Sequence, residues 1–385
     1  MNHIDRFPAS AGAGLSDGLD MMRIGGMAIR YSQFVPKLYN YCLSLGFDRS
    51  RIMPSRAFCS DESQGYPVIL LARHFGTFPF DHGLVGGRMA TDRHGPHAHH
   101  GEDLVIVQAS HVGYDPESQQ FGVYQRKRTV HCEFGANCGK LSGALAWYQQ
   151  QYRKACDTIL LGSAHGAPAL FIDNEFLDKS RQEGIFLHLD RLIDPAQPAP
   201  LLALSTSKAF AASPTLKPLF DGIGWANARA PIGDRLTRDL FHFRRQPVIG
   251  SEGLDLLEQA IAPAMPALVT SPTPALDAAR YHTQMEFDRS YRTIQNEPAY
   301  VGKNVLFVAG LNIDVSPSPA LQFPLTKFVP WAAYARLRDG SSFLLEQDAL
   351  YDALISQPAE NRDEVALDAA IKTMAQADGI ELPAL

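Results

Sequence analysis

The sequence predicts an α/β protein, and three observations support this fold class. Residues 104–109 form an apolar run with consecutive β-branched side chains, which is typical of a strand. Residues 20–45 and 139–155 carry apolar side chains at helical spacing, so each segment is predicted to form a helix. Residues 305–309 repeat the strand pattern in the second half of the chain. We therefore expect strands and helices in both halves.

The remaining elements are predicted from local patterns in chain order. Residues 68–72 have the length and composition of a strand, and residues 121–130 predict a strand or one arm of a hairpin. Proline clusters at 195–200 and 263–274 predict linkers or long loops. The other predicted elements are strands at 158–161, 185–192 and 323–334, and an amphipathic helix at 363–377.

The composition argues against several classes of protein. The chain has 385 residues, of which 45% are apolar and 20% charged, so it can bury a core and is not expected to be disordered. Its formal net charge is -6 with no evident basic face, which argues against a nucleic-acid partner. No apolar run reaches the roughly 18 residues of a membrane span, and residues 1–18 lack the charged start and apolar core of a signal peptide. An odd number of cysteines, five, also indicates reduced thiols, so we expect a cytoplasmic protein.

Three short segments suggest a metal centre: Cys59-Ser60-Asp61-Glu62, Ser110-His111-Val112-Gly113 and Asn137-Cys138-Gly139. Cys59, His111 and Cys138 offer two thiolates and one imidazole to a tetrahedral zinc ion and leave its fourth position open. Three protein ligands plus water are typical of a catalytic zinc ion, whereas a structural site is closed by four ligands. Asp61 is expected to lie beside the open position and to orient or deprotonate water.

These segments resemble the limiting-CO2-inducible protein B/C family, the β-like or theta-type carbonic anhydrases. The resemblance is carried, in matching order and approximate spacing, by Cys59-Ser-Asp61-Glu62, Phe75-Gly76 through Gly83-Leu-Val-Gly86, Leu104-Val-Ile-Val107, Ser110-His111-Val-Gly113 and Cys138-Gly139. It covers roughly residues 40–190. It implies zinc ligands at Cys59, His111 and Cys138, a catalytic carboxylate at Asp61, and reversible hydration of CO2 to bicarbonate. It also implies a β-carbonic-anhydrase-like sheet flanked by helices, and a homodimer.

The sequence departs from the related β-type enzymes beside Asp61. Those enzymes usually pair this carboxylate with an arginine shortly after it, whereas residues 62–65 here are Glu, Ser, Gln and Gly. Arg56, Arg73 and Arg88 are the candidates for this role, and the sequence does not choose among them.

The predicted domain organisation is a zinc domain, residues 1–195, followed by a C-terminal α/β region, residues 196–385. Residues 104–115 and 305–316 are faintly alike, since each has an apolar strand, then a glycine or small residue, then an aspartate. Asn312 stands near the position that His111 holds in the first segment. The C-terminal region is therefore interpreted either as a degenerate repeat without ligands or as an extension of the first domain.

Two alternative functions stay open. In the first, zinc only holds the fold, Asp61 is a fourth ligand, and the C-terminal region binds a partner. In the second, Cys138 and His111 form the thiolate–imidazole pair of a cysteine-nucleophile enzyme. Cys132 also competes with Cys138 as a ligand, although Cys138 is favoured because it begins a predicted helix. Residues 94–100 hold four histidines in a predicted surface loop, interpreted as solvated, with a proton relay as the alternative.

Overall fold

The structure is a computed structural model that describes residues 22–49, 51–90, 103–127, 132–220, 229–246, 254–317 and 324–376. The predictions for residues 1–18 and 94–100, and the side chain of Cys132, lie outside what is described. Within the described residues the helices are α1 (Tyr31–Ser44), α2 (Gly65–Phe75), α3 (Gly139–Thr158), α4 (Asn174–Leu177), α5 (Leu189–Leu192), α6 (Leu254–Ile261), α7 (Met265–Val269), α8 (Pro274–Gln295), α9 (Gln347–Ile355) and α10 (Leu367–Gln376). The strands there are β1 (Ile29–Arg30), β2 (Ile52–Ala57), β3 (Phe80–Asp81), β4 (Asp103–Asp115), β5 (Gln120–Phe121), β6 (Val123–Lys127), β7 (Cys132–Ala136), β8 (Leu160–Ala164), β9 (Ala167–Asp173), β10 (Gly184–Leu187), β11 (Leu202–Ala203), β12 (Ser207–Ala211), β13 (Ala230–Pro231), β14 (Phe241–Arg244), β15 (Val305–Val315), β16 (Leu325–Arg336) and β17 (Ser342–Leu345).

The described chain divides into two compact units. The first unit contains residues Asp20–Cys138 and His282–Leu385, and the second contains Gly139–Tyr281. The boundary expected near residue 195 lies inside the second unit. The division into residues 1–195 and 196–385 stays a prediction.

The first unit is built on an eight-stranded sheet. Its main order is β1-β16-β15-β4-β2-β3, with β17 beside β16 and β5 beside β4. The neighbours β15, β4, β2 and β3 run parallel, whereas β1, β15 and β17 each pair antiparallel with β16, and β5 pairs antiparallel with β4. Parallel strands bring their carboxyl ends to one edge of the sheet, where binding sites assemble.

Helices cover both faces of this sheet. On one face, Phe34 of α1 and Leu71 of α2 belong to the same buried core as Val107 of β4. On the other face, the ring of Phe287 in α8 stacks on that of Phe307 in β15, with 5.3 Å between centroids. Strands buried on both faces are expected to be almost continuously apolar, as residues 104–107 of β4 and 305–311 of β15 are. The predicted α/β class, a sheet flanked by helices, is confirmed.

The two segments that are alike in sequence lie side by side. β4 and β15 pair in parallel, with Leu104 opposite Val305 and His111 opposite Asn312. Each strand therefore presents a polar residue at the same level near the carboxyl edge of the sheet.

One strand prediction is wrong. Residues 68–72 form the middle of α2, which ends at Gly76 in the left-handed conformation (φ 73°). A short apolar run fits a strand or a buried helical segment equally well. Here Leu70 and Leu71 are both buried while Ile69 is 54% exposed, which is the pattern of a helix and not of an alternating strand.

The second unit contains a five-stranded antiparallel sheet, β11-β12-β9-β8-β13, and a separate antiparallel pair, β10 and β14. Helix α3 buries Leu141, Leu145 and Tyr148, so its predicted helical spacing is confirmed. Residues 185–192, predicted as one strand, divide between β10 and α5. Throughout the described part of the chain, each helix is too short or too polar to span a membrane.

Candidate metal centre

Cys59 follows the end of β2, at the carboxyl edge of the sheet of the first unit. Its side chain is buried, and the backbone N–H of Gly86 donates a hydrogen bond to its Sγ at 3.3 Å. Asp61 then caps a short 3-10 helix, Glu62–Gln64, by accepting a hydrogen bond from the Ser63 N–H at 3.1 Å. The chain therefore reverses here with the thiol buried and the carboxylate at the start of a helical turn.

The turn that contacts Cys59 depends on glycine. Gly87 has a φ of +83°, and a Cβ added to it would lie 2.0 Å from the carbonyl oxygen of Ala109 in β4. An L side chain disfavours this φ and has no space here. Gly87 therefore allows the segment that carries the Gly86 N–H to lie directly against β4.

His111 lies inside β4, which continues past the apolar run of residues 104–109 that predicts this strand. β4 continues because β15 pairs with it as far as Tyr114. The polar residues that follow the apolar run are paired inside the protein. Ser110 bonds to His282 at 2.7 Å, and His111 Nδ1 lies 2.9 Å from Asp314 Oδ2.

Cys138 is held close to β4 by its neighbour Asn137. The carbonyl oxygen of Asn137 accepts from the Gly113 N–H at 2.8 Å, and its own N–H donates to the Gly122 carbonyl at 2.9 Å. Its side-chain amide donates to Ser63 Oγ at 3.1 Å. These bonds join the segment that carries Cys138 both to the strand of His111 and to the turn after Cys59.

The structure brings Cys59, His111 and Cys138 together. One potential ligand atom from each residue lies within 4.8 Å of the other two, and all three side chains are buried. The sulfurs of Cys59 and Cys138 are 3.9 Å apart. Two thiolates bound tetrahedrally at the usual zinc–sulfur length would lie about 3.8 Å apart. The Nε2 of His111 is buried without a hydrogen-bond partner, so this group can bind a metal ion.

The three side chains perturb one another's proton affinities. A hydrogen bond with Cys138, helped by His111, outweighs burial and lowers the pKa of the Cys59 thiol. The same contact, together with burial, raises the pKa of Cys138. Burial lowers the pKa of His111, but the charge at Cys138 and the contact with Asp314 outweigh it, so that pKa is raised overall. A bound cation would therefore have to displace the proton that this pair of thiols retains.

Asp314 is a site residue that the sequence reasoning missed. Its side chain is fully buried on β15, and its Oδ2 lies 2.9 Å from His111 Nδ1. The one sequence signal was the faint likeness of residues 305–316 to residues 104–115, which ends each segment with an aspartate. This likeness suggested a repeat that had lost its ligands, and the structure instead places its polar residues beside the ligands of the first segment.

The arginine beside Asp61 is Arg126, which the sequence reasoning did not propose. Its guanidinium lies 3.5 Å from Asp61 Oδ2 and 2.8 Å from Glu62 Oε1, and its Nε donates to the Tyr124 hydroxyl at 3.1 Å. Two of the candidates pair elsewhere: Arg56 with Asp81 at 2.6 Å, and Arg73 with Glu364 at 2.8 Å. The candidates were chosen by nearness in sequence, whereas Arg126 reaches Asp61 because it lies on the hairpin of β6 and β7.

The other described cysteines lie apart from this group. Cys42 is fully buried in the core of the first unit, and burial raises the pKa of its thiol. Cys156 is buried in the second unit. Both are free thiols, as are Cys59 and Cys138.

No protein-family model matches the chain, and no curated protein matches it in sequence. Solved structures do match. The chain is similar to the crystal structure of PtLCIB4, a homolog of the limiting CO2-inducible protein LCIB, with 12% sequence identity and a TM-score of 0.48, over 86% of this chain and 99% of that one. It is also similar to the crystal structure of LCIB, with 11% identity and a TM-score of 0.44, over 84% of this chain and 96% of that one. Both proteins carry the name of the family that the sequence segments resemble.

Proposed function

We propose that the chain is a zinc-dependent carbonic anhydrase that interconverts CO2 and bicarbonate. In this proposal Cys59, His111 and Cys138 hold the zinc ion, and Asp61 acts on water. The observation that carries it is the meeting of two sulfurs and one unpartnered imidazole nitrogen, in a group that contains no fourth donor among the described residues. Three protein donors leave a coordination position for a reactant. CO2 as the substrate rests on the sequence resemblance.

Zinc is the metal that the donor set favours. Two thiolates and one imidazole suit zinc, whereas magnesium and calcium prefer oxygen ligands. When bound, zinc would supply a Lewis acid that makes water nucleophilic near neutral pH.

The chain's own residues would orient and deprotonate water. Asp61 Oδ1 is held by the Ser63 N–H, and Oδ2 faces Arg126, so the orientation of the carboxylate is restrained from two sides. Arg126 is in turn restrained by Glu62 and Tyr124. A carboxylate held in this way can accept the proton of a water molecule, a role that contributes about 10²- to 10⁴-fold in rate in enzymes.

The proposal is tested by stopped-flow CO2 hydration on protein of measured zinc content, with and without a chelator. We expect about one zinc ion per chain, and activity that falls as zinc is removed. Cys59→Ala should lose both zinc and activity, whereas Cys156→Ala should keep both. Asp61→Asn should keep zinc and hydrate CO2 about 10²- to 10⁴-fold more slowly.

Asp81 provides a matched control for Asp61. It accepts a backbone N–H two residues later, from Gly83, and pairs with an arginine, Arg56, but it lies on β3 and not in the turn that follows Cys59. Asp81→Asn should hydrate CO2 at the wild-type rate. Equal rates of CO2 hydration for Asp61→Asn and wild type would refute the role of Asp61. Full activity of zinc-free wild type would refute the requirement for zinc.

The two alternative functions predict different results. Stoichiometric zinc without CO2 hydration would favour a structural zinc protein. Inactivation by iodoacetamide together with indifference to chelators would favour a cysteine nucleophile at Cys138.

We further propose that the chain is a cytoplasmic homodimer. The resemblance supports the dimer, and four free thiols among the described cysteines agree with a reducing compartment. Light scattering of the purified protein tests the dimer, since a monomer mass at micromolar concentration would contradict it.

A further inference from the structure

We infer that Asp314 is the positioning residue of the candidate metal centre: it holds His111 with the proton on Nδ1, so that Nε2 faces the metal. This inference rests on the proposed zinc site. It concerns how the chain prepares one ligand before the metal binds, and it assigns a role to a strand that contributes no ligand itself.

Asp314 receives hydrogen bonds on both carboxylate oxygens. Oδ2 lies 2.9 Å from His111 Nδ1 and accepts from Ser63 Oγ and Gln64 Nε2, each at 2.9 Å. Oδ1 accepts from Thr326 Oγ1 at 3.0 Å. A carboxylate accepts hydrogen bonds and has no proton to give, so the proton between Asp314 and His111 belongs to the imidazole. The lone pair of His111 is then on Nε2, the nitrogen that is buried without a partner.

A chain of hydrogen bonds leads from Tyr31 through Asn312 and Gln64 to Asp314. The hydroxyl of Tyr31 donates to Asn312 Oδ1 at 2.8 Å, and Asn312 Nδ2 donates to Gln64 Oε1 at 2.6 Å. Because Gln64 Oε1 accepts this bond, Gln64 Nε2 is turned to the other side, where it lies 2.9 Å from Asp314 Oδ2, 3.0 Å from Ser63 Oγ and 3.3 Å from His111 Nδ1. The contact with the carboxylate is the shortest of the three. This order leaves Asp314 as the final acceptor and orients the side chains that enclose it.

The strand pairing explains why Asp314 can reach His111. Asn312 lies directly opposite His111 in the parallel pair of β4 and β15, and Asp314 is two residues further along the same strand. Residues two apart on a strand point to the same face. Asn312 and Asp314 therefore lie on one face, where they meet Gln64 from the turn after Cys59.

A purely structural role is the competing explanation, because a buried carboxylate with four donors would stabilise any fold. The two explanations differ in their effect on metal binding. Carboxylates that hold a ligating histidine usually raise metal affinity 10- to 100-fold. A carboxylate that only stabilises the sheet would change the unfolding free energy but not the affinity of the folded protein.

The test compares Asp314→Asn with Thr326→Val. Asn has the same shape as Asp and can still accept from His111, but it lacks the charge. Thr326→Val removes only the bond to Oδ1, on the side of the carboxylate away from His111. Zinc affinity is measured on metal-depleted protein by competition with a chromophoric chelator, and the site is also loaded with Co²⁺ to record its visible absorption spectrum.

We expect Asp314→Asn to bind zinc about 10- to 100-fold more weakly than wild type and to alter the Co²⁺ spectrum. Thr326→Val should match wild type in both measurements. Equal zinc affinity in Asp314→Asn and wild type would overturn the inference, even if the wild type hydrates CO2. A wild type that binds no zinc would instead overturn the proposed function, and this inference with it.

A second measurement covers the case in which Asp314→Asn fails to fold. Long-range ¹H–¹⁵N NMR correlations of ¹⁵N-histidine-labelled wild type, loaded with zinc, report which ring nitrogen carries the proton. We expect His111 to be protonated on Nδ1 and metal-bound through Nε2. The opposite tautomer would overturn the inference without any substitution.

Discussion

Asp103→Asn should destabilise the first unit by about 2–4 kcal/mol, because Asp103 joins the starts of its two central strands. Asp103 is buried at the first residue of β4. Its Oδ1 accepts from the Asn304 N–H at 3.1 Å and from Arg338 at 3.0 Å. Its Oδ2 accepts from the Asp48 N–H at 3.0 Å and from Asn304 Nδ2 at 2.9 Å. One carboxylate therefore holds four donors from three other segments.

The size of this loss of stability follows from the number of acceptor oxygens, because the Asn side chain has one where the Asp carboxylate has two. In Asp103→Asn one oxygen becomes an NH2 group, which would face two donors instead of accepting from them. In either orientation of the amide, at least one backbone N–H, that of Asn304 or of Asp48, is left without its acceptor. A buried donor without an acceptor costs about 1–3 kcal/mol, and the bonds lost here were to a charged group. Arg338 is mostly exposed, so water replaces its contact and it adds little.

Hydrogen exchange with mass spectrometry measures this effect in the first unit alone. Peptides from β4 and β15 should exchange at least about 30-fold faster in Asp103→Asn than in wild type, the equivalent of about 2 kcal/mol. Asp339→Asn is the control, since Asp339 is exposed and bonds only to nearby Ser341. Unchanged hydrogen exchange in β4 and β15 would refute the reasoning, because the four hydrogen bonds to Asp103 would then contribute no measurable stability to the first unit.

Three further predictions concern the pKa of Asp103, the space at Gly87 and the buried face of α2. Burial raises the pKa of Asp103, but its hydrogen-bond donors outweigh burial and lower this pKa below its usual value. The stability that Asp103 contributes is therefore complete above its unfolded-state pKa and is lost as the pH falls through its folded-state pKa. Acid unfolding should consequently be less steep in Asp103→Asn than in wild type. Gly87→Ala should destabilise the protein by at least about 1–2 kcal/mol in thermal unfolding, because φ is positive and a carbonyl of β4 occupies the space, whereas Gly143→Ala on open helix surface should not destabilise it. Leu71→Ala should cost about 2–5 kcal/mol and Ile69→Ala much less; comparable losses in urea unfolding would contradict the helix over residues 65–75.

The elements with long, regular patterns could be predicted from the sequence. α3 was predicted because helical spacing persists along the segment, and β4 because it has three consecutive β-branched residues, Val105 to Val107. β15 was predicted from its likeness to β4. The run 68–72 was misassigned because five apolar residues fit either structure. The deciding signal was outside the run, in Gly76, because a glycine in the left-handed conformation commonly ends a helix.

The candidate site could be predicted only in part. Cys59, His111 and Cys138 have recognisable local contexts, and the structure does bring them together, while their role as ligands stays a prediction. Arg126 and Asp314 could not be chosen from local sequence. Both meet their partners through tertiary contacts, one on a hairpin and one on a strand paired in parallel with a distant segment, and such contacts leave no spacing pattern in the chain.

The chain order has a consequence for biosynthesis. β15 lies between β4 and β16 in the sheet, yet residues 139–281 of the second unit are translated between β4 and β15. At about 5–20 residues per second, a ribosome needs on the order of ten seconds to cover that interval. Throughout it, the edge of β4 that pairs with β15 in the finished protein has no native partner strand. We therefore expect the centre of this sheet to be completed only late in synthesis, after residues 305–315 have been made.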